Sequence, residues 1–174
     1  MDEKQLINGC IDGDRKAQRA LYDKYSRKMM GVCLRYVKDM EDARDLMQEG
    51  FIKLFTHIRD YTGEGSIDGW VRKIFINCAL ERLRHRDVLR DAGDINDMNY
   101  TEIPDETFVS DISSEELMEY VKSLPDGFRM VFNMYAIEGY SHKEIGEILN
   151  ISESTSRSQY MRARKWLRKK ILEN

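Results

Sequence analysis

The sequence predicts an all-α protein: two small helical domains joined by an acidic flexible linker. Three observations carry this prediction. Apolar residues recur at three- and four-residue intervals through long runs, with none of the alternation of a half-buried strand. The two prolines, Pro104 and Pro125, both fall outside those runs. Residues 87–116 break the pattern: ten Asp or Glu residues stand against Arg90 alone, with Gly93, Asn96, Asn99 and Pro104 scattered among them.

Taken in order, residues 20–38, 42–58 and 67–86 each carry an apolar helical face, and they make a first block at 1–86. In "DLMQE", Asp45, Gln48 and Glu49 stand at i, i+3 and i+4 and share one face, while Leu46, Met47 and Phe51 turn inward. An acidic and amide face on a rigid helix is either a docking surface or a solvated face. Further on, Tyr61 offers a stacking plane, Gly63 and Gly65 permit close backbone approach, and Asn77 carries an amide able to bond a base edge. Arg72, Lys73 and Arg82 belong to a run of five cations between residues 71 and 86 that could track the phosphates of a nucleic acid. Trp70, at helical spacing from Ile74, Cys78 and Ala79, is assigned to the core.

Residues 87–116 follow as the linker and 117–174 as a second block. Ser141 and Glu144 form a capping box, Ile145 and Leu149 give that helix its apolar face, and Asn150 stands at a turn where left-handed geometry is needed. Ser152 caps the next helix. There Tyr160, Ala163 and Leu167 fall on one side, whereas Arg157, Ser158, Met161, Arg162 and Lys165 fall on another. Between Ser152 and Lys170, seven Lys or Arg residues face Glu153 alone. Two short helices joined by three residues, the second with a basic outer face, describe either a helix-turn-helix that enters the major groove or a helical hairpin with a solvated face.

Composition narrows the function classes. At 174 residues, with 41% hydrophobic and 34% charged positions, the chain suits two modest globular units, and no run approaches the ~18 apolar residues of a membrane span. Met1 leads straight into Asp2, Glu3 and Lys4, so no export signal and a cytoplasmic location are expected. Cys10, Cys33 and Cys78 sit in apolar helical stretches and read as buried reduced thiols, and His57, His85 and His142 share no ligand spacing with them. No metal site, cofactor or covalent chemistry is expected, because the chain has no nucleophile-and-base arrangement and no glycine-rich phosphate loop.

The stretches "EDARDLMQEGFIKLF", "YTGEGSIDGWVRKIFINCALERLRHR" and "LPDGFRMVFNMYAIEGYSHKEIGEILNISESTSRSQYMRARKWLRKKI" resemble, in that order, the core-polymerase contact, the −10 reader and the −35 reader of extracytoplasmic-function sigma factors of the sigma-70 family. The resemblance implies that Asp45, Gln48 and Glu49 grip the clamp helices of core RNA polymerase. It implies too that Asn77 lines a base pocket with Tyr61 at its edge. Thr155, Arg157, Ser158, Gln159, Met161, Arg162 and Lys165 would then read the −35 element. Promoter DNA and an anti-sigma factor are the further partners implied, and regions 2 and 4 would occupy 1–86 and 117–174.

The chain departs from the commonest family pattern at Gly146, Ser154, Ser156 and Gln159, which bears on the bases read, since Gln159 would seek adenine where Arg seeks guanine. A linker of ~30 residues coils to ~30 Å but must stretch to span promoter elements ~70 Å apart, so a scaffold such as polymerase is needed to hold it. In the free protein its acids are expected to shield the basic readers. The competing class, a stand-alone helix-turn-helix regulator, leaves "DLMQEG" and "YTGEGSIDGW" without a task.

Overall fold

The computed structural model describes residues 2–85 and 112–173, all of whose regular elements are helical. Most of the acidic linker, with its expected shielding role, lies outside the described residues. The chain divides into two compact units, the first ending at Arg82 and the second starting at Leu83.

The first unit opens with α1 (Glu3–Ile11), held by a capping box in which the Asp2 carboxylate accepts from the Gln5 N–H at 2.7 Å and the Gln5 side chain accepts from the Asp2 N–H at 3.0 Å. Helix α2 (Arg15–Tyr36) begins at an Asp14 cap and α3 (Met40–His57) at an Asp39 cap. A 3-10 turn (Ile58–Asp60) and a glycine-bearing loop then lead into α4 (Ile67–His85). Leu21, Tyr25, Met29 and Cys33 of α2 are buried with Leu46 and Leu54 of α3 and Val71, Phe75 and Cys78 of α4. Close approach sets two small residues here: a Cβ on Gly9 would meet Ala17 Cβ at 2.6 Å, and one on Gly50 would meet the Phe75 ring at 2.4 Å. All three cysteines are free and buried, and burial pushes the Cys33 thiol up to about 12 and Cys78 to about 11, so neither is a ready nucleophile.

The second unit comprises α5 (Ser114–Ser123), α6 (Asp126–Phe132), a π turn (Asn133–Ile137), α7 (His142–Leu149) and α8 (Glu153–Glu173). Its first helix starts earlier than composition suggests. Ser113 caps α5 by accepting from the Glu116 N–H at 3.2 Å, and Glu116 accepts in return from the Ser113 N–H at 3.2 Å. Ser113, placed by charge in the linker, is therefore the helix cap, and residues 114–116 are helix. Glu115 and Glu116 are acids at a positive helix end rather than linker charge.

Val121, Leu124, Ala163 and Leu167 form a core against which Phe128, Phe132 and Trp166 pack. The α5–α6 corner is locked by Arg129, 1% exposed, whose guanidinium donates to the Leu124 carbonyl at 2.9 Å and the Asp126 carboxylate at 2.6 Å. Among the described residues no helix is long and apolar enough to cross a membrane.

Candidate polymerase and nucleic-acid interfaces

On α3, Asp45 and Gln48 are exposed and Glu49 is half-buried, one turn of a helix whose inner face is Leu46, Met47 and Phe51. Lys53 Nζ holds Glu49 at 3.3 Å and reaches across to Glu81 of α4 at 2.6 Å, and the Glu81 bond raises the lysine pKa. This bridge steadies the two helices relative to each other. Beside Gln48 lies an apolar groove of about 380 Å³, lined by Tyr22, Met30, Met47, Phe51, Ile52 and Phe55 together with the stem of Arg44. Ile52 is 61% exposed and Tyr22 41%, so the groove leaves apolar surface open to solvent. Periodicity alone does not reveal this groove, because it forms between α2 and α3.

Arg82 is engaged within its own unit. Its guanidinium turns onto α3, donating to Asp42 at 2.8 Å with Asp45 at 3.5 Å, and so ties α4 to α3. The side chain is 23% exposed, consistent with that inward role.

The glycine loop between the 3-10 turn and α4 is a built structure. Gly63 and Gly65 adopt φ of 81° and 77°, a region costly for residues with a Cβ. The Tyr61 hydroxyl donates to the Gly65 carbonyl at 2.9 Å and so closes the loop on itself. The Tyr61 ring lies 5.4 Å from that of Trp70, tilted by 53°. Trp70 is thus only half-buried, a floor for Tyr61 rather than a core residue, which corrects its sequence assignment. Trp70, Lys73, Asn77 and Arg84 recur at three-, four- and seven-residue steps along one face of α4, and the last three are exposed. An aromatic step, an amide and two cations in line can take an unstacked base and its phosphates. Arg72 is half-buried on a neighbouring face.

In the second unit, α7 begins at the Ser141–Glu144 capping box, whose backbone bond at 2.7 Å holds the Glu144 carboxyl below its usual range. The helix ends at Asn150 with φ 55° and ψ 47°, the left-handed residue that the turn requires. Ile151 N–H then bonds Gly146 O at 3.0 Å, and a Cβ on Gly146 would meet Ile151 O at 2.7 Å, so the tight turn uses the absent side chain. Ser152 Oγ accepts from the Thr155 N–H at 3.0 Å to start α8.

Helix α8 presents Thr155, Arg157 and Lys165 to solvent with Ser158, Met161 and Arg162 half-buried beside them. Gln159 does not join them. It is 5% exposed and buried with Ser156, Ala163 and Leu167, apart from the side chains that the helix presents to solvent. Ser156, another polar departure in this helix, bonds buried His142 through Oγ and Nδ1 at 2.9 Å and pins α8 to α7. Tyr135 stacks on that imidazole at 4.1 Å and 10°.

Comparison with known proteins agrees with this division. The family model for sigma-70 region 2 matches residues 21–88 and that for sigma-70 region 4 matches residues 114–167. The ECF RNA polymerase sigma factor SigW of Bacillus subtilis is 30% identical over 179 residues, covering 97% of this chain and 96% of that protein. The chain belongs to the extracytoplasmic-function sigma factors. Its resemblance to the ECF RNA polymerase sigma-E factor of Haemophilus influenzae, 26% identical over 182 residues, spans 98% of this chain and 96% of that one. Two solved structures share the fold: CnrH in complex with the cytosolic domain of CnrY (TM-score 0.51, 16% identity, 99% of this chain and 98% of that one) and the sigma factor RpoE with the anti-sigma factor NepR from Bartonella quintana (TM-score 0.52, 15% identity, 87% and 94%).

As a sigma factor the chain binds core RNA polymerase, directs it to promoters and serves transcription initiation. The region 2 match removes the case for a stand-alone regulator, since such a protein has no use for that unit.

Proposed function

We propose that this sigma factor divides its work among three faces. Asp45, Gln48 and Glu49 dock on core polymerase, with exposed Ile52 and Tyr22 beside them filling an apolar site on the partner. Tyr61, Trp70, Lys73 and Asn77 capture an unstacked base of the −10 element, Gly63 lets the strand approach, and Arg72 and Arg84 meet its phosphates. Thr155, Arg157, Ser158, Met161, Arg162 and Lys165 address the −35 element from the major groove. Residues 1–86 act as region 2, and the second unit acts as region 4. The sigma factor itself makes and breaks no covalent bond and works in the cytoplasm.

The observation that carries this reading is the line of Trp70, Lys73 and Asn77 along one face of α4, with Tyr61 of the braced glycine loop packed against Trp70 at its start. A phosphate-binding helix alone has no need of an aromatic step and an amide. An anti-sigma factor is the proposed inhibitor, because the related fold of Bartonella quintana RpoE is solved with one. Capture of purified core RNA polymerase by the tagged chain tests the docking face: co-purification at a defined stoichiometry is expected. Binding to promoter DNA alone, with no retention of polymerase, would contradict it.

A further inference from the structure

We propose that Glu153 and Arg157 act as one reading unit for a C·G base pair in the −35 element, Glu153 accepting from the cytosine N4 amine and Arg157 donating to guanine. This rests on the region 4 reading above. The first turn of a recognition helix is the part that meets base edges, and in α8 that turn carries Glu153, Ser154, Thr155 and Arg157 outward with Ser156 inward. Glu153 is the sole acid among the seven cations up to Lys170. On a surface that must approach phosphates, a carboxylate weakens general affinity, so its presence calls for a specific use.

Three ordinary uses account for little of it. An exposed acid in the first turn of α8 gains only a small, salt-screened stabilisation from the helix end. Capping of the helix is supplied by Ser152, whose Oγ takes the Thr155 N–H at 3.0 Å. An exposed ion pair four residues apart adds little to stability. What the pair does supply is geometry. Arg157 Nη2 donates to Glu153 Oε1 at 2.5 Å, which leaves Glu153 Oε2 and the Nε and Nη1 groups of Arg157 outside the pair. An acceptor and a set of donors are thus tied side by side. The turn that carries them is fixed from beneath, because Ser156 is bonded to buried His142. In the major groove a C·G pair offers the N4 amine as donor beside guanine O6 and N7 as acceptors, the complement of this arrangement. A thymine O4 would face the carboxylate with a second acceptor and be rejected.

The test uses the full chain assembled with core RNA polymerase and a promoter library in which each −35 base pair is varied in turn, with transcript yield read for each variant. Wild type is expected to favour C·G at one position by on the order of tenfold or more. E153A and R157A should each flatten that same position while leaving the others within about twofold, the double variant should flatten it no further, and E153Q should retain part of the preference because its amide oxygen still accepts. An E153A profile identical to wild type overturns the pair, and so does a uniform change at all positions or a flattened position different from that of R157A. A wild type without preference at any −35 position overturns the region 4 reading itself, and the pair with it.

Discussion

Gly50→Ala probes how α3 and α4, which carry the proposed docking and melting faces, are held together. Gly50 lies mid-way along α3, where alanine would ordinarily gain about 0.5–1 kcal/mol through lower backbone entropy in the unfolded chain. Here the added Cβ would sit 2.4 Å from Phe75 Cε1 and 2.5 Å from Cδ1, against a normal carbon contact of ~3.5–4 Å. The ring has nowhere to go: Phe75 is fully buried and meets the Phe51 ring edge-on at 5.1 Å. Overpacking of this kind costs about 1–3 kcal/mol. The net loss expected is about 1–2 kcal/mol, and a unit of this size loses about 4–8 °C in Tm per kcal/mol. Trp70 lies in the first unit and Trp166 in the second, so a W166F background lets Trp70 fluorescence report on the first unit during thermal unfolding. A Tm for G50A,W166F equal to or above that of W166F would refute the packing argument, since the propensity gain would then have met no steric cost.

Three further outcomes are expected. Gln48→Ala with Glu49→Ala should weaken core polymerase binding by about fivefold or more in a titration, while stability stays within about 0.5 kcal/mol because both side chains reach solvent. Equal affinity would remove α3 from the interface. Asn77→Ala should leave polymerase binding intact but lower open-complex formation about tenfold, through the lost contact to an extruded base. A wild-type permanganate pattern at the −10 element would contradict that role. Burial pushes His142 below its ordinary value of 6.5, and nearby Arg157 adds to the shift while Glu153 opposes it. The folded unit therefore resists protonation, and its stability is complete above about pH 6.5, falls as pH drops toward the depressed value and levels off below it. Urea titration of wild type and His142→Gln across pH 5–8 checks this: the variant should lose the dependence, and an unchanged slope would sink the assignment.

Much of the fold was legible because its signals are local. The Ser141–Glu144 box, the left-handed Asn150 and the outward Asp45 and Gln48 each depend on residues within one helical turn. What escaped the sequence depends on distant partners. Arg82 reads as a free cation until Asp42, forty residues away in the chain, is placed beside it. Gln159 sits at the border of two helical faces, and only the packing of α8 on its own unit decides that it turns inward. Trp70 has helical spacing to core residues, yet Tyr61 arrives from the loop to cover it. The short helix α1 falls within the block read as helical at 1–86, and Leu6, Ile7 and Cys10 give it a buried face, but nine residues hold too few turns for its bounds to be read. Ser114–Glu116 were hidden for the opposite reason, their acids reading as linker when they are serving a helix end.

Run-off transcription with purified core polymerase, paired with permanganate probing of the same promoter, tests the central claim most directly. The account predicts a specific transcript and unpaired −10 thymines when chain and core are both present, and neither when one is omitted. Specific promoter binding by the chain alone, with no transcript and no unpairing on addition of core, would contradict it.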